Sequence, residues 1–133
     1  MISAEYPQAS WFLVVCIGVF LVVIALPLLL VPLTWARWFG WKLPEGNNDL
    51  TVYFGRCLGA TALTLIFAVA HGIPDPKSHH LLFEIIAIVS GLMILIHLWG
   101  AIRRTQPLSE TVEIAVWVVV FAFSSWIRFS VLP

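Results

Sequence analysis

The sequence predicts an all-α fold: an integral membrane four-helix bundle, up-down-up-down, with antiparallel neighbours. Three observations carry this. Apolar residues make up 61% of the 133 residues and charged residues only 11%, against about 25% charged in ordinary soluble domains. The apolar residues gather in four runs, residues 11–33, 50–71, 81–102 and 112–132, each of about 20 residues, the length a helix needs to cross roughly 30 Å of hydrocarbon. The polar connections between the later runs are short, GIPDPKSHH and RRTQPLSE, and short connections make sequential helices antiparallel neighbours. One four-span domain over residues 1–133 follows, and a soluble domain is excluded.

The first run has no Lys or Arg before it, exceeds the roughly 7 to 15 apolar residues of a signal peptide, and is followed by no small-x-small cleavage site. It is expected to remain as a helix. Pro27 lies inside it, where it removes a backbone hydrogen bond and predicts a kink, and Pro32 marks its end. The loop at residues 34–48, TWARWFGWKLPEGNN, carries Trp35, Trp38, Phe39 and Trp41, residues that suit the headgroup level, so it is expected to lie along the membrane interface. Trp99 would join that belt, with Trp11 and Trp126 in the opposite one.

On the second run, Asp49 is placed to cap the helix. At 100° per residue, Tyr53, Arg56, Ala60, Thr64, Phe67 and His71 fall within one sector of about 80°. Lipid rejects such a stripe, so it is expected to face inward. Gly55 and Gly59, one face away, form a small-xxx-small step that permits close backbone approach within the bundle or in a homodimer or larger membrane complex. The third run has a similar smooth side at Ala87 and Gly91, near Glu84, and ends on Arg103 and Arg104, which complement the C-terminal helix dipole. Ser109 is placed to cap the fourth helix, where Glu110, Glu113, Trp117, Val120, Ser124 and Arg128 form a second inward stripe.

Loop charge sets orientation, because Lys and Arg near span ends stay on the cytoplasmic side. Arg37, Lys42, Arg103 and Arg104 lie in the first and third loops, against Lys77 in the second. Both termini are therefore expected outside a bacterial inner membrane. In that frame the intramembrane charges divide by depth into two layers. Arg56 and Glu113 lie within about two turns of the inner end, where a guanidinium and a carboxylate would satisfy each other. Glu84 and Arg128 form the outer pair, with His71, His79 and His80 close in depth.

Each of these groups also has a plainer reading. Carboxylates in a first helical turn, such as Glu110 and Glu113, complement the dipole without any function. Arg56 reads as a structural ion pair or a cation for a ligand. His97, sharing a side of the third helix with Ser90, reads as a hydrogen-bonded buried histidine or a proton relay. His80 and Glu84, four residues apart, would hold a metal only with His71 or His79, and no metal-type Cys/His spacing exists. No metal or other cofactor is predicted. Cys16 and Cys57 fall at opposite membrane sides in this topology, so no disulfide joins them. The lack of a basic run argues against nucleic acid, leaving the lipid bilayer as the partner.

The PLLLVPLTWARWFGW exit from the first run and the YFGRCLGA entry to the second, in a four-span layout, resemble small bacterial four-helix membrane proteins of the DoxX-like kind. The resemblance implies a bacterial cytoplasmic membrane protein and assigns no functional residue. Three functions compete. Polar faces without a nucleophile, base and oxyanion constellation point to a non-enzymatic membrane protein that binds a lipophilic ligand or a partner membrane subunit through Tyr53, Arg56, His97, Glu113, Glu84, Arg128 and His71. A small secondary transporter would use the same charges as a proton or solute path, although only Thr64, Ser90 and Ser124 bridge the middle. A membrane cofactor anchor of an oxidoreductase would use the histidines, but His71 and His97 lie in opposite leaflets.

Overall fold

The computed structural model describes residues 1–133 and contains helices and connecting turns alone. Four helices are long and apolar enough to cross a membrane: α1 (Pro7–Leu30), α3 (Asp49–Gly72), α4 (Leu81–Arg103) and α5 (Leu108–Val131). Between the first two lies a short helix, α2 (Pro32–Trp38). Large apolar side chains cover the outside, among them Phe54, Ile88, Leu95 and Phe129, each more than 60% exposed. A contiguous apolar surface of this kind suits hydrocarbon and would drive aggregation in water. The chain is a multi-pass membrane protein.

Helices α1 and α5 begin about one turn earlier than their apolar runs. Pro7 opens α1 and Pro107, extended at ψ 161°, precedes α5, because proline needs no partner for its nitrogen at a helix start. Two expected caps are not made. Asn48 is the N-cap of α3, with Asp49 inside the first turn, and the Ser109 hydroxyl donates to the Phe39 carbonyl. A π-helical turn at Leu21–Ala25 precedes Pro27. Pro27 has no N–H for the Val23 carbonyl four residues back, and Trp35 Nε1 donates to that oxygen at 2.7 Å. The first loop thus repairs the bond that proline removes.

Gly55 and Gly59 turn toward α1. A Cβ on Gly59 would lie 2.5 Å from the Leu29 nitrogen and 2.9 Å from the Ala25 carbonyl, and one on Gly55 would lie 2.6 Å from Pro32 Cβ. The close approach the glycines permit is therefore made within the chain. It also fixes the rotation of α3, whose inward stripe runs Val52, Gly55, Gly59, Ala62, Ile66, Val69 and Gly72. The polar stripe expected inward is turned out: Tyr53, Arg56, Ala60, Thr64, Phe67 and His71 are all exposed. Backbone contact at glycine outweighs burial of the polar sector, since the van der Waals contact that drives membrane helices together needs small residues at the seam.

Helices α4 and α5 pack along their length, and α3 packs on α1. The two pairs meet chiefly at their ends. At one end Ala9, Leu13, Phe83, Ile127 and Leu132 form a buried cluster, with Phe12 stacked at 6.2 Å on Phe83 and 6.4 Å on Phe123, and Ser10 donates to the Ile73 carbonyl at 2.6 Å. At the other, the first loop lies on the start of α5 through Phe39, Gly40 and Trp41.

Candidate functional site

The fourth-span stripe does face inward: Glu110, Trp117 and Ser124 are buried, and Glu113, Val120 and Arg128 are partly so. Its two ends hold different chemistry. Arg128 Nε donates to Glu84 Oε1 at 2.6 Å, joining α5 to α4 as depth and charge predict. Near the start of α5, His97, Glu110 and Glu113 bring one ligand atom each within 4.8 Å of one another.

The second group is held from several sides. Helix α4 ends in a left-handed residue, Arg104 at φ 54°, with Thr105 N–H returning to the Gly100 carbonyl at 3.0 Å. This turn lets Gln106 fold back over Gly100 and donate to the His97 carbonyl at 3.0 Å and Thr111 Oγ1 at 3.1 Å. The end of α4 is so locked to the start of α5. His97 Nδ1 lies 2.7 Å from the Met93 carbonyl, which can only accept, so Nδ1 carries a proton. Nε2 is then directed at Glu110 Oε2, 3.2 Å away, and Glu113 Oε2, 3.8 Å away. Trp41 Nε1 donates to the other Glu110 oxygen at 2.7 Å. His97 and Glu110 are only 4% and 8% exposed.

These three side chains form the polar end of a cavity of about 310 Å³ between the four spans. Apart from Thr61 and Ser90, whose hydroxyls bond their own helices, its walls are apolar, with Phe20 and Leu28 from α1, Ile66 and Val69 from α3, Ile86 and Met93 from α4, and Trp117 from α5. Trp117 packs edge-on against Phe20, with ring centroids 5.4 Å apart. Its buried Nε1 has no hydrogen-bond partner. A buried indole N–H without an acceptor is costly, and here it borders the cavity beside Glu113 and His97. The hydroxyls at mid-depth are already used, Ser90 on the Ile86 carbonyl at 2.7 Å and Ser124 on the Val120 carbonyl at 2.8 Å.

The expected Arg56–Glu113 pair is absent. Arg56 lies on the outer face of α3, in a shallow groove with Asp49 and Tyr53, and Glu113 faces His97 instead. The other histidines do not join a cluster. His71 and His79 rest on the Phe67 and Asp75 carbonyls at 2.8 and 2.9 Å, His80 lies by the Lys77 carbonyl, and Glu84 is held by Arg128. In the same loop the Ser78 hydrogen bond holds the exposed Asp75 carboxyl below its ordinary range. Cys16 and Cys57 are free thiols. Sequence reasoning set His97 and Glu113 at one depth, yet missed Glu110 and Trp41 as their partners. The signal for Glu110 was its helical phase with Glu113; the reach of Trp41 depends on the path of the loop. No protein-family model, curated protein or solved structure matches the chain.

Proposed function

We infer that the protein binds a lipophilic molecule carrying a hydroxyl or carbonyl head, inserted between the spans with its head at His97, Glu110, Glu113 and Trp117. The observation that carries this reading is the cavity: about 310 Å³, apolar along its walls and polar at one end, within the range of small-molecule sites. The Trp117 N–H reaches toward Glu113 without closing a geometric hydrogen bond, and a hydroxyl or carbonyl oxygen at this end of the cavity would supply an acceptor. Up-down-up-down topology and an inner-membrane setting with both termini outside, drawn from loop charge, would put the polar end in the cytoplasmic leaflet. A DoxX-like origin fits the same setting. Against a continuous proton or solute path stand the mid-depth hydroxyls, which bond their own helices. The partner-subunit reading would use a different face, the exposed groove at Tyr53 and Arg56.

The test uses a diazirine-bearing long-chain alcohol as probe with the protein in nanodiscs. Saturable labelling within 82–97, competed by the unlabelled alcohol and lost in Ala62→Trp, is expected. Labelling that does not saturate, or that Ala62→Trp leaves intact, marks ordinary lipid contact and defeats the proposal.

A further inference from the structure

We propose that His97, Glu110 and Glu113 form a binding site for a divalent first-row transition ion, open toward the cavity. A divalent ion such as Zn²⁺ bound at about 2.1 Å in tetrahedral geometry sets its ligand atoms about 3.4 Å apart. His97 Nε2 stands 3.2 Å from one carboxylate oxygen and 3.8 Å from the other, near that spacing, and all three ligand atoms lie within 4.8 Å of one another, so an ion can be held once the carboxylates close on it. The imidazole is already oriented as a ligand: Nδ1–H is engaged by the Met93 carbonyl and Nε2 faces the carboxylates, where an ion would replace the proton that Nε2 shares with Glu110. Trp41 holds the outer oxygen of Glu110, leaving Oε2 for the ion.

Charge points the same way. No Lys or Arg pairs with either carboxylate; each has only His97 within ion-pair distance. Two carboxylates in a water-poor setting facing one imidazole are short of positive charge, and a divalent cation supplies it. Imidazole with carboxylates is a donor set for Zn²⁺, Mn²⁺ or Fe²⁺. An independent feature concerns what completes the ion. Three protein ligands leave a position for water or a ligand oxygen, and the buried, unpartnered Trp117 N–H borders the same end of the cavity, where it can donate to that oxygen. The site does not depend on the lipophile reading, though a hydroxyl or carbonyl head would take the open position.

The experiment is a Co²⁺ titration of chelator-stripped protein in detergent with no alcohol probe added. The expected result is a visible absorption band of a low-symmetry Co²⁺ site that saturates at a single ion per chain and is abolished by Zn²⁺. Glu113→Gln and His97→Gln are expected to weaken binding about ten-fold or more, and Glu84→Gln, at the opposite end, to leave the titration unchanged. A wild-type spectrum no different from aqueous Co²⁺ overturns the proposal. So does undiminished affinity in His97→Gln, or an equal loss in Glu84→Gln. Should the ligand variants fail to fold, thermal melting of the wild type decides: Zn²⁺ must raise its Tm, and an unmoved Tm rejects the site. Alcohol labelling of stripped protein separates the two ideas, since it survives if only the metal site is wrong.

Discussion

Trp41 donates its indole N–H to Glu110 Oε1 at 2.7 Å across 69 positions of sequence. This bond ties the first loop to the polar end of the cavity and leaves one Glu110 oxygen for His97. Trp41→Phe keeps the ring and removes the donor. Because Trp41 is 37% exposed, a loss below the roughly 1.5–3 kcal/mol of a bond to a charged group is expected, about 1 kcal/mol. Denaturation in mixed micelles measures it, and the same variant should weaken Co²⁺ binding about ten-fold by freeing Glu110. Wild-type stability in this variant would show that the loop is held by its other contacts.

The glycines separate close approach from helix propensity. Gly59→Ala puts a methyl against the α1 backbone and should cost about 1–3 kcal/mol as overpacking. Gly18, in α1, has nothing within 4 Å of an added Cβ, so Gly18→Ala should be neutral or stabilise by up to about 1 kcal/mol. Thermal melting of the two variants side by side checks the opposite signs.

Pro27 and Trp35 should be energetically coupled through the Val23 carbonyl. Trp35→Phe leaves that oxygen without its donor, at a cost of about 1 kcal/mol. Pro27→Ala supplies a backbone N–H four residues on, so the same Trp35 change should cost less in that background. A double-mutant cycle reads the difference, and strict additivity would refute the coupling.

Glu84 and Arg128 are a closed pair with side chains 35% and 22% exposed. Glu84→Ala or Arg128→Ala should destabilise by about 1–2 kcal/mol, between the values for exposed and buried pairs. Exchanging the two charges should recover part of the loss, as measured by folded yield and Tm. Arg56, exposed and outside any ion pair, makes the contrast: Arg56→Ala should change stability by no more than about 0.5 kcal/mol.

Much of the fold was legible because the bilayer demands it. Backbone groups in hydrocarbon must be bonded within their own segment, so run length and hydropathy alone specify four spans. The Arg128–Glu84 contact was legible from depth and sign, since both lie near span ends and each needs an opposite charge. Periodicity told which residues share a face of α5. For α3 it identified two faces, a polar stripe and a glycine stripe, with no means of ranking them.

That ranking came from the tertiary structure. Gly59 meets the backbone of α1 and Gly55 meets Pro32 at the start of α2, and these contacts rotate Arg56 outward and remove it from Glu113. Composition, span lengths, the backbone bond lost at Pro27 and the pairing of Glu84 with Arg128 belong to the sequence, because they follow from local chemistry and one-dimensional spacing. The cavity, the His97–Glu110–Glu113 cluster and the reach of Trp41 belong to the tertiary structure. They depend on helix rotation and loop path, which are set by side chains far apart in sequence meeting at van der Waals distance.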